Sequence, residues 1–123
     1  MNIDLEALQS EAQRVVEDTL AALPEPVRCR AVALPVSYDA RPQQGLIDEG
    51  YDSDLLGLFV GAPPAEPDEC PLPPHIILFI ENIWDFADQD LTTFLAEVRT
   101  TYLHELGHYL GLDEIDLENR GLD

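Results

Sequence analysis

The segment His104-Glu105-Leu106-Gly107-His108 constrains the fold of this chain more than any other feature. It has the pattern H-E-x-x-H, with two histidines four residues apart. Residues at this spacing share one face of an α-helix, so both imidazoles can reach a single metal ion if the segment is helical. Imidazole is a preferred zinc ligand, and the pattern places Glu105 where it can deprotonate a zinc-bound water. The motif therefore predicts a helix that carries a Zn²⁺ site.

A single long helix is predicted around this motif, from about Leu91 to Leu110. Asp90 is a good N-cap for it, and Gly111 is a natural left-handed stop. On a helical wheel the two histidines share a stripe with Glu97 and Thr101, and Glu105 lies at its border. The apolar residues gather elsewhere on the wheel, at Leu95, Val98, Tyr102, Leu103, Leu106, Tyr109 and Leu110. A histidine that fills a core would lie inside the apolar stripe, so the wheel favours a functional site.

Acidic residues dominate the charge of the chain. There are 25 Asp and Glu against 6 Arg and no Lys, and the net charge is −19. Phosphate binding requires a basic patch, so neither nucleic acid nor an anionic membrane surface is expected as a partner. A neutral or cationic peptide or protein, and a divalent metal ion, would be attracted instead.

Length and hydropathy favour one cytoplasmic domain. A chain of 123 residues can bury one modest core but not two, so residues 1–123 are predicted to form a single domain. The acidic N-terminus lacks the basic-then-apolar order of a signal peptide, and no apolar run approaches the roughly 18 residues of a membrane span. Cys29 and Cys70 form no C-x-x-C pattern, so neither a disulfide nor a metal role is expected for them.

Apolar periodicity predicts one further helix and three strands before the motif helix. Pro35 lies inside the first strand and favours an edge position or a bulge, because proline cannot donate to a ladder. The third strand is continuously apolar, so both its faces should be covered. A short irregular or helical turn follows it and leads to Asp90. The predicted elements are a helix at about Ile3–Leu23 capped by Asn2 or Asp4, strands at Val32–Tyr38, Leu55–Gly61 and His75–Glu81, a polar loop at Asp39–Asp54 and a proline-rich loop at Pro63–Pro74.

A catalytic zinc site has three protein ligands and one open position, so one ligand remains to be found beside the two histidines. Gly111 permits an abrupt turn, after which the chain can return to the same metal. The spacing then resembles the H-E-x-x-H-x-x-G-x-x-H pattern of the metzincins, with Glu114 at the place of their third histidine. A carboxylate oxygen is a suitable zinc ligand. Glu114 is therefore the predicted third ligand, and Asp113 and Asp116 are the alternatives.

The resemblance extends over nearly the whole chain to the small bacterial zincin-like metallopeptidases, or minimal zincins. The similar blocks are a Leu-Pro-Glu turn at Leu23–Glu25, a Leu-Leu-Gly-Leu-aromatic strand at Leu55–Phe59, a proline-rich loop, an Ile-rich strand, and H-E-x-G-H-x-x-G-x-Asp ending at Asp113. Met1 is the only methionine, so the methionine turn of full metzincins is missing. The resemblance implies an α+β fold with a small twisted mixed sheet of three to four strands, an N-terminal helix and a C-terminal H-E-x-x-H helix. It places the cleft between that helix and an edge strand.

The leading hypothesis is a zinc metallopeptidase that hydrolyses peptide or amide bonds. Zinc would be bound by His104, His108 and Glu114, and Glu105 would be the catalytic base. A peptide substrate could pair with an exposed strand edge, for which Leu55–Gly61 is the candidate. The alternative is a metal-binding or interaction protein that keeps a zincin frame with little or no proteolytic activity, because so short a chain has no extra subdomain for a specificity pocket.

Overall fold

The computed structural model describes residues 4–61 and 74–110. Five helices and three short strands lie in this part of the chain. In order they are α1 (Leu5–Ala21), α2 (Glu25–Ala31), β1 (Val36–Asp39), α3 (Gln44–Asp48), β2 (Gly57–Val60), β3 (His75–Phe79), α4 (Ile80–Phe86) and α5 (Leu91–Leu110). The proline-rich loop up to residue 73, including Cys70, and all residues after 110 lie outside the described ranges.

Helix α1 confirms the predicted N-terminal helix. Asp4 is its cap, since the Asp4 carboxylate accepts a hydrogen bond of 2.7 Å from the Ala7 N–H. The helix buries one face, on which Leu8, Ala12 and Val16 recur every fourth residue. This spacing keeps the three side chains on one stripe, while Glu6, Glu17 and Asp18 lie on the exposed side of the helix.

The strand predicted at Val32–Tyr38 is wrong in its first half. Helix α2 occupies residues up to Ala31, and Val32 is its exposed C-cap, while β1 starts only at Val36. The reason lies in the prolines: Pro24 is the N-cap and Pro26 lies in the first turn, where a helix needs no N–H donor. The prolines that end α1 therefore also begin the next helix. The predicted edge position is confirmed for β1 within the described sheet.

Strand β3 is the centre of a three-stranded mixed sheet. The strand order is β1-β3-β2, with β1 parallel and β2 antiparallel to β3. Ile76 and Leu78 are fully buried, whereas His75 and Ile77 between them are only partly buried. Alternate residues of a strand face opposite sides, so one face of β3 is closed and the other is partly open. Phe79 on the second face is also buried, so the predicted covering of both faces is incomplete only at His75 and Ile77.

Helix α4 begins directly at the end of β3, so the predicted strand is two residues too long. Most of the short irregular or helical turn predicted before Asp90 belongs to α4. Trp84 in it is buried, while Phe86 is 61% exposed. Asp88 and Gln89 then adopt left-handed φ values of 56° and 59°, which turn the chain towards α5.

The predicted polar loop at Asp39–Asp54 contains the short helix α3, none of whose residues is buried. The end of this loop is held by α4 through Asn82, which is buried. The Asn82 amide donates hydrogen bonds to the carbonyls of Ser53 at 2.8 Å and Leu55 at 2.9 Å. Its oxygen accepts a bond of 2.6 Å from Arg41. Helix α4 thereby positions the start of β2.

Helix α5 lies at the centre of the packing and contacts α1, α4, β2 and β3. Its fully buried side chains are Phe94, Val98, Tyr102, Leu103 and Leu106. The Phe94 ring meets Trp84 edge-on at 5.6 Å between centroids. None of the helices described is long and apolar enough to cross a membrane. The arrangement confirms the predicted α+β class, with an N-terminal helix, a small mixed sheet and a C-terminal motif helix.

Candidate metal centre

The start of helix α5 is well defined, and it determines which of the following residues share a face of the helix. The Asp90 carboxylate accepts hydrogen bonds from the Thr93 N–H at 2.9 Å and the Thr93 hydroxyl at 2.7 Å, as expected for an N-cap. The helix then continues unbroken through the H-E-x-x-H motif to residue 110. The predicted helix and its cap are confirmed, and so is the shared face of the two histidines.

The two motif histidines converge. Their Nε2 atoms lie 3.2 Å apart, and the ring planes are nearly perpendicular at 86°. One ligand atom from each of His104, Glu105 and His108 can be chosen so that all three lie within 4.8 Å of one another. His108 is exposed and His104 is partly buried, so the group opens to solvent.

This donor pair fits zinc. Two nitrogens bound tetrahedrally to one Zn²⁺ at 2.0–2.1 Å lie roughly 3.3 Å apart. The observed Nε2 separation of 3.2 Å matches that distance, so the rings need no rearrangement to share one ion. A donor set of imidazole nitrogens next to a carboxylate also favours zinc over harder cations.

Glu105 occupies a more enclosed position than the histidines. Burial raises the pKa of its carboxyl group above the usual value. The neighbouring His108 and His104, and a hydrogen bond from the Phe59 backbone N–H, oppose this shift and lower the pKa in part. The carboxylate therefore lies between the histidine pair and the backbone of β2.

The outer edge of β2, which pairs with no strand among residues 4–61 and 74–110, faces this carboxylate. The Phe79 N–H donates to the Leu56 carbonyl at 2.9 Å, which sets the hydrogen-bonding phase of the antiparallel pair β2–β3. Since alternate residues of such a pair face the partner strand, Leu58 bonds to β3 while Gly57 and Phe59 direct their N–H and C=O groups outwards. The outward Phe59 N–H is the one that reaches Glu105.

Aromatic contacts hold the far end of the same edge against α5. The centroids of the Phe59 and Tyr109 rings lie 5.7 Å apart. The Arg30 guanidinium carbon lies over the Tyr109 ring, 5.8 Å from its centroid. Tyr102 is buried in the core, as predicted. Tyr51, in the loop before β2, is 41% exposed.

Two residues near the motif differ from their sequence interpretation. Thr101 was placed on the histidine stripe, yet only 8% of it is exposed, because β2 covers it. The Phe59 N–H, which bonds to Glu105, was missed, because a backbone donor leaves no signature in residue type. The alternation of inward and outward backbone groups along β2 determines that the Phe59 N–H points away from β3. This alternation depends on the register of β2 against β3, which cannot be read from one strand alone.

The structure brings together three of the four predicted site residues. Glu114 and the alternatives Asp113 and Asp116 lie outside the described residues, so the third ligand stays a prediction. The roles of His104, His108 and Glu105 are likewise inferred from their geometry and chemistry.

Comparison with known proteins bears on the family. The model of the zincin-like metallopeptidase family matches residues 30–122, which is most of the chain and includes β1, β2, β3 and the motif helix. A search of curated proteins finds no match. Together with the α+β architecture and the converging H-E-x-x-H side chains, the match confirms the resemblance noted from the sequence. The chain belongs to the zincin-like metallopeptidase family.

Proposed function

We propose that this protein is a zinc-dependent peptidase that hydrolyses peptide bonds. The observation that carries the proposal is the convergence of His104 and His108, with Nε2 atoms 3.2 Å apart, beside the partly buried carboxylate of Glu105. Membership of the zincin-like metallopeptidase family supports it.

Zinc would be held by His104 and His108 together with a carboxylate from the segment after α5. Glu114 is the proposed third ligand, and Asp113 and Asp116 are its alternatives. When bound, zinc acts as a Lewis acid that polarises a carbonyl group and lowers the pKa of a coordinated water. The site opens at the exposed His108, where a substrate has access.

Glu105 would act as the general base and then as the general acid. Its carboxylate takes a proton from the attacking water as the water oxygen bonds to the carbonyl carbon, and it gives that proton to the amide nitrogen as the C–N bond breaks. Burial supports this role, because it raises the pKa of Glu105 and makes the carboxylate a stronger proton acceptor. The Phe59 N–H orients the carboxylate while both steps occur.

The outward edge of β2 would bind the substrate backbone. The carbonyl of Gly57 and the N–H and C=O groups nearby form the kind of edge to which an extended peptide adds as an antiparallel strand. This edge adjoins the motif helix, since Gly57 lies against Glu105. The peptide bond to be cleaved would then pass directly over the proposed base.

Charge supports a neutral or cationic substrate. The chain carries a net charge of −19. At the entry to β2, a depression of about 520 Å³ is lined by the carboxylates of Asp52 and Asp54, by the ion pair of Arg41 with Asp85, and by Leu55 and other residues of the loop and α4. A basic side chain next to apolar walls matches that surface, and a nucleic acid backbone does not.

The test is Glu105→Gln, compared with parent protein on a proteome-derived peptide mixture and with zinc content measured for both. We expect unchanged zinc stoichiometry and a loss of at least about 100-fold in cleavage rate, since general acid–base catalysis contributes 10²–10⁴-fold. Glu97→Gln is the matched control: it makes the same change two turns earlier on α5, at another partly buried position, and should leave the rate unchanged.

Two results would contradict the proposal. Equal cleavage by the parent and Glu105→Gln would remove the base assignment. Full zinc binding by the parent without cleavage of any peptide would favour the alternative, a metal-binding or interaction protein built on a zincin frame.

A further inference from the structure

Strand β2 approaches helix α5 more closely at Gly57 than any side chain would allow. A Cβ atom at position 57 would lie 2.6 Å from Thr101 Cγ2, and 3.4 Å from both Glu105 Cγ and Leu78 Cδ2. Carbon atoms in favourable contact are about 3.5–4.0 Å apart. The φ of Gly57 is outside the left-handed region, so the requirement for glycine is one of space alone.

The three contacts of β2 with α5 follow one face of the helix. Thr101, Glu105 and Tyr109 are spaced four residues apart and therefore lie in a row. Thr101 lies under Gly57, Tyr109 packs on Phe59, and Glu105 between them receives the Phe59 N–H. The height of the strand above Glu105 is consequently set one helical turn before it, where the backbone rests on the Thr101 methyl group.

We propose that Gly57 and Thr101 act as a spacer pair that fixes the distance between β2 and α5, and thereby holds the Phe59 N–H against the Glu105 carboxylate. Gly57 is in this sense a positioning residue that touches no reacting atom. The catalytic consequence rests on the proposed function, whereas the hydrogen bond itself does not.

A methyl group at position 57 would force the strand outwards. Relieving a 2.6 Å contact to about 3.5 Å requires a displacement of roughly 1 Å. The Phe59 N–H, two residues further along the same strand, would then move away from Glu105, and its hydrogen bond to the carboxylate would weaken. Replacing Thr101 by serine removes the Cγ2 atom that causes the clash. The double variant Gly57→Ala/Thr101→Ser should therefore recover the parent spacing.

Amide hydrogen exchange, read by NMR on the full chain with and without zinc, tests the hydrogen bond directly. The Phe59 amide should be protected in the parent although it faces outwards from the sheet. Gly57→Ala and Glu105→Ala should each raise its exchange rate by about tenfold or more, and the double variant should restore protection to within about threefold of the parent. The Leu58 amide, which bonds to β3, reports whether the strand itself stays paired.

Gly45→Ala is the matched control for the substitution. A Cβ at Gly45 meets nothing within 4 Å, so this variant should leave the exchange of Phe59 unchanged. If Gly57→Ala fails to fold, the double variant must restore both folding and Phe59 protection. A double variant that does not fold, or that folds with an unprotected Phe59, overturns the proposal, as does a parent whose Phe59 amide exchanges freely.

A second measurement connects the spacer to turnover. In zinc-loaded protein, Gly57→Ala should lower kcat/KM by about 100-fold, the cost expected for a 1 Å misplacement, and Thr101→Ser should rescue it in the double variant. Zinc content should stay the same, because both histidines are on α5. Unchanged kcat/KM in Gly57→Ala refutes the catalytic consequence. A parent without zinc or without activity refutes the proposed function and leaves the exchange result standing.

Discussion

The position of β2 depends on one buried amide, and its removal has a calculable cost. Asn82 is 4% exposed, and its side chain makes three hydrogen bonds: to the carbonyls of Ser53 and Leu55, and from Arg41. Asn82→Leu keeps the branched shape and the number of side-chain heavy atoms and removes all three. We therefore expect this variant to lose the link between α4 and the start of the edge strand.

The magnitude follows from the environment of each bond. A hydrogen bond between neutral groups contributes about 1 kcal/mol net, which gives about 2 kcal/mol for the two carbonyls. A bond to a charged donor contributes more when buried, but the Arg41 side chain is 49% exposed and retains Glu81 and Asp85 as partners, so about 1 kcal/mol is appropriate. The free energy of unfolding should fall by about 3 kcal/mol.

Urea denaturation measures this loss. With a slope of about 2 kcal/mol per molar urea, the midpoint should fall by about 1.5 M. Asp85→Asn is the comparison variant: it weakens an ion pair whose acidic side chain is 48% exposed, and should cost less than about 1 kcal/mol. A change below about 0.5 kcal/mol in Asn82→Leu would refute the reasoning, because it would mean that the loop needs none of these bonds.

Two further predictions concern the metal and the pH dependence of stability. Glu114→Ala should weaken zinc binding by at least about tenfold in a chelator competition, since one of three protein ligands is lost; unchanged affinity would move the third ligand to Asp113 or Asp116. Burial raises the pKa of Tyr38 to about 12, with smaller contributions from Glu17 and Tyr102. Because this pKa exceeds the value of about 10 in an unfolded chain, the contribution of Tyr38 to stability should be constant with pH below about 10 and should fall between about 10 and 12. Tyr38→Phe should lessen that fall in denaturation curves recorded across this range, and an identical fall would contradict it.

Local patterns were sufficient to predict the motif helix, α5. The cap at Asp90, the helical spacing of His104 and His108, and the separation of these histidines from the apolar stripe all depend on residues within a few turns of one another. Helix geometry is nearly invariant, so such spacing translates directly into three dimensions.

Features that depend on tertiary structure were predicted less well. Residues 25–31 contain one proline and one valine, a pattern that fits several structures, and only the packing of the chain decides that Pro26 lies in the first turn of a helix. The sequence pattern indicates a polar surface residue at Thr101, whereas in the fold β2 covers this side chain. The bond from Phe59 to Glu105 requires the register between β2 and β3, which is a property of two strands distant in sequence.

Judged from length alone, so small a chain suggests a binding protein without a specificity pocket. The edge strand β2 makes the small size compatible with the proposed peptidase activity. A substrate that pairs with backbone groups needs no side-chain pocket for its affinity, because the hydrogen bonds of β-addition are independent of sequence. In this chain the same strand also provides the N–H that orients Glu105. Under the proposed function, substrate binding and catalysis would therefore share one element, β2, which Asn82 holds at its start and which approaches Thr101 of α5 closely at Gly57. A peptidase built this way should select substrates by extended conformation and charge more than by the shape of any one side chain.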